Sequence, residues 1–111
     1  MSVRGAREQI TKAVLGWQGV EAHPHRFSGI EFRLGNREIG HVHGDYLVDI
    51  PFPTRVSQEV VAAGLAQPHH VLPDSGWVSA YLHDPADLEG VIALLDRSYQ
   101  IARAQYARRL E

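Results

Sequence analysis

From residue 29 to residue 51 apolar and polar positions alternate with the period of a half-buried strand. "GIEFRL", "REIGHVH" and "YLVDIP" follow one another. The first two are linked by Gly35-Asn36 and the last two by Gly44-Asp45. These residue types tolerate the positive φ of tight hairpin turns, so the pattern predicts a meander of three antiparallel strands. "VEAHPH" precedes it. This is expected as an edge piece beside the meander, because Pro24 cannot donate to a central ladder. Upstream, Ala6, Ile10, Ala13, Val14 and Trp17 keep the helical period and predict a helix over residues 5–17. Downstream, "TRVSQEVVAAG" reads as a helix with Thr54 as N-cap and Gly64 at C′. "LAQPHHVLPDSG" reads as a loop and "WVSAYLH" as a last strand. A final helix starts at Asp84-Pro85, with Asp84 as N-cap and Asp87 in its first turn. Leu88, Val91, Ile92, Leu95, Tyr99 and Ala102 form its apolar stripe. The expected fold is α+β, an antiparallel sheet packed against helices in the order α-β-β-β-β-α-β-α. With 111 residues it is expected to be a single domain.

Two-residue links fix a register. Leu34 then opposes Arg37, Phe32 opposes Ile39 and Ile30 opposes His41. Across the second link His43 opposes Tyr46, His41 opposes Val48 and Ile39 opposes Ile50. Opposed residues share a face. The expected core face therefore carries Ile30, Phe32, Leu34, Ile39, Val48 and Ile50, with His41 and His43 at its end. The other face carries Glu31, Arg33, Glu38, Gly40, Val42, Leu47 and Asp49. There Arg33 opposes Glu38 as an ion pair, and Glu31 and Asp49 flank a notch at Gly40. On the last strand Val78, Ala80 and Leu82 are the expected core side. Trp77, Ser79, Tyr81 and His83 face away.

Charge and composition narrow the chemistry. A net charge of −2 with no basic run makes nucleic acid an unlikely partner. The chain has no cysteine, which removes disulfides, thiolate nucleophiles and thiolate metal sites. "MSVRGAREQITKAVLGW" has no apolar signal region and no run is long enough to span a bilayer, so no membrane partner is expected. These features fit a cytoplasmic chain.

Seven histidines are many for this length, and they fall in "HPH", "HVH" and "PHH". His41 and His43, two apart on a strand, point the same way. A metal pair, an acid–base pair and a satisfied core histidine all fit that spacing. His69-His70 offers further imidazoles. The cupin arrangement needs a glutamate soon after H-x-H, and here the nearest strand carboxylate, Asp49, is expected on the opposite face. For that reason no metal is expected. Ser75 in "DSGW" lacks a positioned base and reads as a turn residue.

"GHVHGDYLVDIPFPTRV", "GLAQPHHVLPDSGWVSAYL" and "DLEGVIALLDRSY" together resemble the luciferase-domain family, over roughly residues 10 to 102. The shared motifs are G-H-x-H, D-x-P-F-P, H-H and S-G-W. By position they select His41, His43, Asp49, Pro51, Phe52, Arg55, His69, His70, Ser75, Gly76 and Trp77. The resemblance implies binding of a small planar oxygenated molecule, such as a phenol or pyrone, and its oxidation by oxygen without metal or flavin. His41, His43, His69 and His70 would be the catalytic cluster. Asp49, Phe52, Arg55 and Trp77 would bind the substrate, with Arg55 clamping an anion. The order of elements is also similar to the MmcQ/YjbR-like domains, which would imply a non-enzymatic interaction domain. A metal-dependent enzyme on the same histidines is the third alternative.

Overall fold

A computed structural model describes residues 2–110. Its elements run α1 (Ala6–Leu15), β1 (Val20–His25), β2 (Gly29–Leu34), β3 (Arg37–His43), β4 (Leu47–Pro51), α2 (Thr54–Ala62), β5 (Gln67–Pro68), β6 (Trp77–Tyr81) and α3 (Asp87–Leu110). The fold is α+β. All strand pairs are antiparallel, and the sheet order is β1-β2-β3-β4-β6-β5. β1 lies at the edge beside β2, where the missing N–H of Pro24 is harmless.

One strand was not expected. Gln67 and Pro68, read as loop, pair with Ser79 and Val78 as β5. Two residues are too few for alternation to show. The last helix begins at Asp87 rather than at Pro85. Asp84 instead accepts the Ala86 N–H in a turn, and Asp87 reaches back to the His83 and Asp84 N–H groups. The second helix starts at Thr54, but the Thr54 hydroxyl makes no cap bond, and Pro53 holds the cap position. Gly64 sits at C′ with φ 76°, as its residue type predicts.

α1 and α3 cover one face of the sheet, and the core lies between. Val91, Leu94, Leu95, Tyr99 and Ala102 face Phe32, Ile39, Val42, Val48, Ile50, Val78, Ala80 and Leu82. Each large apolar side chain buried there contributes about 1.5–3 kcal/mol. Tyr99 joins the two helical segments. Its ring stacks on Trp17 at 5.3 Å, and its hydroxyl donates to the Gln18 carbonyl at 2.6 Å.

Two local events overturn the expected register and faces. Leu34↔Arg37 and Arg33↔Glu38 pair as expected. A bulge then interrupts the ladder, so that Phe32 opposes Gly40, Glu31 opposes His41 and Ile30 opposes Val42. Ile39 is the extra residue and is fully buried. The β3–β4 link also holds three residues rather than two: Gly44, Asp45 and Tyr46 lie between the paired His43 and Leu47. His41 therefore opposes Asp49 and not Val48. A one-residue slip moves a side chain to the opposite face. His41 and His43 thus leave the core face, Val42 enters it, and Asp49 shares the histidines' face. Gly40 faces the helices, so the expected notch is filled. A Cβ at Gly40 would stand 2.5 Å from Leu95 Cδ2. The turn residue Asp45 has a long-range role, since its carboxylate accepts the Gly5 and Arg7 N–H groups at the start of α1.

Candidate functional site

The sheet face away from the helices carries the chemistry. Side chains that share it, by register, are His25, Glu31, Arg33 and Glu38 on one side, and His41, His43, Asp49, Ser79 and Trp77 on the other. Short β5 brings the histidine loop over this face. Gln67 opposes Ser79, and the His69 N–H bonds the Trp77 carbonyl at 3.2 Å. Gly76 lets Trp77 begin β6 there. Its φ is 89°, and a Cβ would stand 2.6 Å from the Phe52 carbonyl oxygen.

Asp49 is the centre. It is 1% exposed. Four imidazole Nε2 atoms surround one of its oxygens, Oδ2: His41 at 3.2 Å, His43 at 3.1 Å, His70 at 3.2 Å and His69 at 3.5 Å. The other oxygen accepts the Ser79 hydroxyl at 2.7 Å, which fixes the carboxylate's orientation. His41 is gripped from both ends, because its Nδ1 lies 2.6 Å from Glu38 Oε2. Behind it His25 stacks on its ring at 3.9 Å and bonds Glu31, which Arg33 also holds. Trp77 walls the cluster, with ring centroids 5.2 Å from His41 and 6.1 Å from His69.

The electrostatics follow from this packing. Burial disfavours a charged His41, but hydrogen bonds to Asp49 and Glu38 outweigh it and raise the ring from 6.5 to about 9. His41 is therefore protonated at neutral pH, although burial alone would keep it neutral. Burial, and then the neighbouring His41 charge, hold His43 below its ordinary value. Burial lowers His69 as well, and the Asp49 charge only partly opposes this. Asp49 is held well below the carboxylate range: burial acts upward, and bonds from His41, Ser79 and His70 overcome it. Glu31 is lowered chiefly by its bond from His25.

The histidine pairs from the strand and from the loop thus converge, together with Asp49 and Trp77. The other two residues expected to bind substrate lie apart. Phe52 is buried in the apolar core. Arg55 is exposed on the first turn of α2, and among the described residues no hydrogen bond or ion pair ties it to the cluster. Ser75 is a turn residue: its hydroxyl donates to the Leu72 carbonyl and accepts the Trp77 N–H. Arg33 opposes Glu38 along the ladder, but its guanidinium binds Glu31 while Glu38 binds His41. Sequence reasoning missed His25, Glu38 and Ser79 as partners of the site. Alternation in "VEAHPH" was the available signal for His25, and the Val78/Ala80 alternation was the one for Ser79.

Among the described residues two groups have donor atoms within 4.8 Å of one another and can ligate a metal: His25, His41 and His43, and Asp49, His69 and His70. The ground on which no metal was expected, a carboxylate facing away, does not hold. Two grooves lie elsewhere. One of about 520 Å³ is lined by Leu34, Arg37, Ala102 and Tyr106, and one of about 270 Å³ by α2 residues with Pro68 and Pro73.

An antiparallel sheet with helices on one face and a buried histidine–aspartate cluster on the other defines a small α+β domain with one polar working face. The family model described as Luciferase domain matches residues 36–98, more than half of the chain. The chain belongs to the luciferase-domain family. Every motif residue from His41 to Trp77 lies inside the matched segment. No curated protein and no solved structure matches the chain. Among the described residues no helix is long and apolar enough to cross a membrane.

Proposed function

We propose that this domain binds a small planar oxygenated molecule, of the phenol or hydroxypyrone kind, on the cluster face and oxidises it with dioxygen. The observation that carries the reading is the set of four imidazoles around Asp49 Oδ2 beside the Trp77 indole. A planar ring gains by stacking on an indole. Its hydroxyl then reaches the imidazoles. His43, kept neutral by burial and by the His41 charge, is the proton acceptor. A positioned base contributes typically 10²–10⁴-fold. Protonated His41 faces the anion that forms, and Asp49 keeps it charged.

In the chemical step the enolate carbon donates its electron pair to dioxygen and forms a carbon–oxygen bond. The proton taken by the imidazole returns to the terminal peroxide oxygen. The sum is R–H plus O2 giving R–OOH, with no external reductant.

The test is a fluorescence titration of the tryptophans with catechols and hydroxylated pyrones, run beside an oxygen electrode. Saturable quenching is expected in the wild type and in His23→Ala, and lost in Trp77→Phe. Quenching without oxygen uptake is expected in His43→Ala. Absence of quenching by the whole panel, or equal quenching in Trp77→Phe, would contradict the proposal and favour an interaction domain.

A further inference from the structure

We propose that Asp49, His41, His43 and His70 form one binding centre for a first-row divalent transition-metal ion, with His69 outside its coordination shell.

The first argument is a count of donors against acceptors. A carboxylate oxygen offers about two lone-pair directions. Four imidazole Nε2 atoms lie within 3.5 Å of Asp49 Oδ2, while Ser79 already occupies Oδ1. One oxygen cannot satisfy four N–H donors. A cation among them resolves the excess, because each ring then presents a lone pair.

The second argument is distance. His41, His43 and His70 stand 3.2, 3.1 and 3.2 Å from Oδ2. Two ligand atoms each about 2.1 Å from one ion are separated by those distances when the angle at the ion is roughly 95–100°. That angle is ordinary for a four- to six-coordinate ion.

The third is what lies behind the ligands. A metal-bound imidazole usually gives its other N–H to a carboxylate, which fixes tautomer and orientation. His41 Nδ1 faces Glu38 Oε2 in that way. Asp49 is itself oriented by Ser79. His69 differs from its neighbour. Its Nδ1 accepts the Val71 and Leu72 N–H groups at 3.1 and 3.0 Å. That nitrogen therefore carries no proton, so a neutral His69 must hold its proton on Nε2. His69 thereby turns an N–H, not a lone pair, toward Asp49 Oδ2 at 3.5 Å, and its other nitrogen anchors the loop carrying His70.

The donor set is imidazole and carboxylate without thiolate. It suits iron, cobalt, nickel or zinc, and is a poor match for magnesium or calcium. His70 is the most exposed of the three rings, at 39%, and is the ligand a substrate oxygen can displace. The ion takes the Nε2 that carries a proton in the function proposed above, so the ion-bound and doubly protonated forms of His41 exclude one another, and the ion site does not rest on that function.

The test is a titration of the untagged, chelator-dialysed full chain with cobalt(II) chloride, read by visible absorption. One equivalent is expected to bind saturably. His70→Ala and Glu38→Gln are each expected to weaken it at least about tenfold. His69→Asn keeps an acceptor for the Val71 and Leu72 N–H groups and removes Nε2, so its affinity is expected to stay near that of the wild type. Thermal unfolding in chelator shows that each variant is folded. Asp49→Asn is informative only if it folds, while the His70 and Glu38 variants decide in any case. No saturable one-to-one binding would overturn the proposal, and so would a His69→Asn loss as large as that of His70→Ala. No organic ligand is present, so failure of the substrate reading leaves this result unaffected.

Discussion

Replacing Asp49 by Asn removes the charge at the centre of the cluster while keeping an oxygen for Ser79 Oγ. The effect on stability can be worked out for the metal-free protein. Raising His41 from 6.5 to about 9 corresponds to roughly 3 kcal/mol of preference for the charged ring. Asp49 and Glu38 together supply that net amount and also offset the opposing cost of burial. Loss of the Asp49 share also leaves an imidazolium that is 7% exposed with one carboxylate instead of two. Breaking a buried charged pair in this way costs about 3–5 kcal/mol. The pH window follows from the sign. The folded His41 value lies above the unfolded one. Its contribution is therefore complete below about pH 6.5 and lost as pH rises through about 9. The assay is urea unfolding of wild type and Asp49→Asn in chelator, at pH 6 and pH 9.5. At pH 6 the variant is expected to be about 3–5 kcal/mol less stable, with a clearly smaller gap at pH 9.5. An equal gap at both pH values would refute the claim that Asp49 holds a charged His41. So would a variant as stable as the wild type.

Three further outcomes are expected. Gly40→Ala should lower stability by about 1–3 kcal/mol in urea unfolding, because its Cβ would meet Leu95 Cδ2 at 2.5 Å where φ is 155°. Tyr99→Phe should cost about 1 kcal/mol in the same assay, through loss of the hydroxyl bond to the Gln18 carbonyl. The Asp49 carboxyl is depressed and the unfolded group titrates near 3.8, so wild-type stability should fall as pH drops below about 4, and that fall should be shallower in Asp49→Asn.

The meander, the three helices and the core side of β6 were legible because each rests on a local period. Val78, Ala80 and Leu82 alternate, and Leu88 to Ala102 keep the helical stripe. The four clustered histidines, His41, His43, His69 and His70, were legible as motif residues. The faces of β3 were not. They depend on one inserted residue, Ile39, and on a third turn residue, Tyr46. Gly40, opposite Phe32 just beyond the bulge, lies against Leu95, distant in sequence. What holds the longer turn is Asp45 bonding the start of α1. Neither contact leaves a trace in the alternation around it. One warning was present even so. The expected register placed His41 against Ile30 and Val48 on the core face while Asp49 lay on the opposite face. Buried polar groups need partners, and the observed register gives His41 and His43 theirs.

The account stands most directly on where a hydroxypyrone binds, and backbone amide shift mapping by NMR during its addition measures this. The account predicts that the largest saturable shifts fall at His41, His43, Asp49, His70, Ser79 and the Trp77 indole. Shifts centred instead on Leu34, Arg37 and Tyr106, around the larger groove, would contradict it, as would no saturable shift for any compound of the panel.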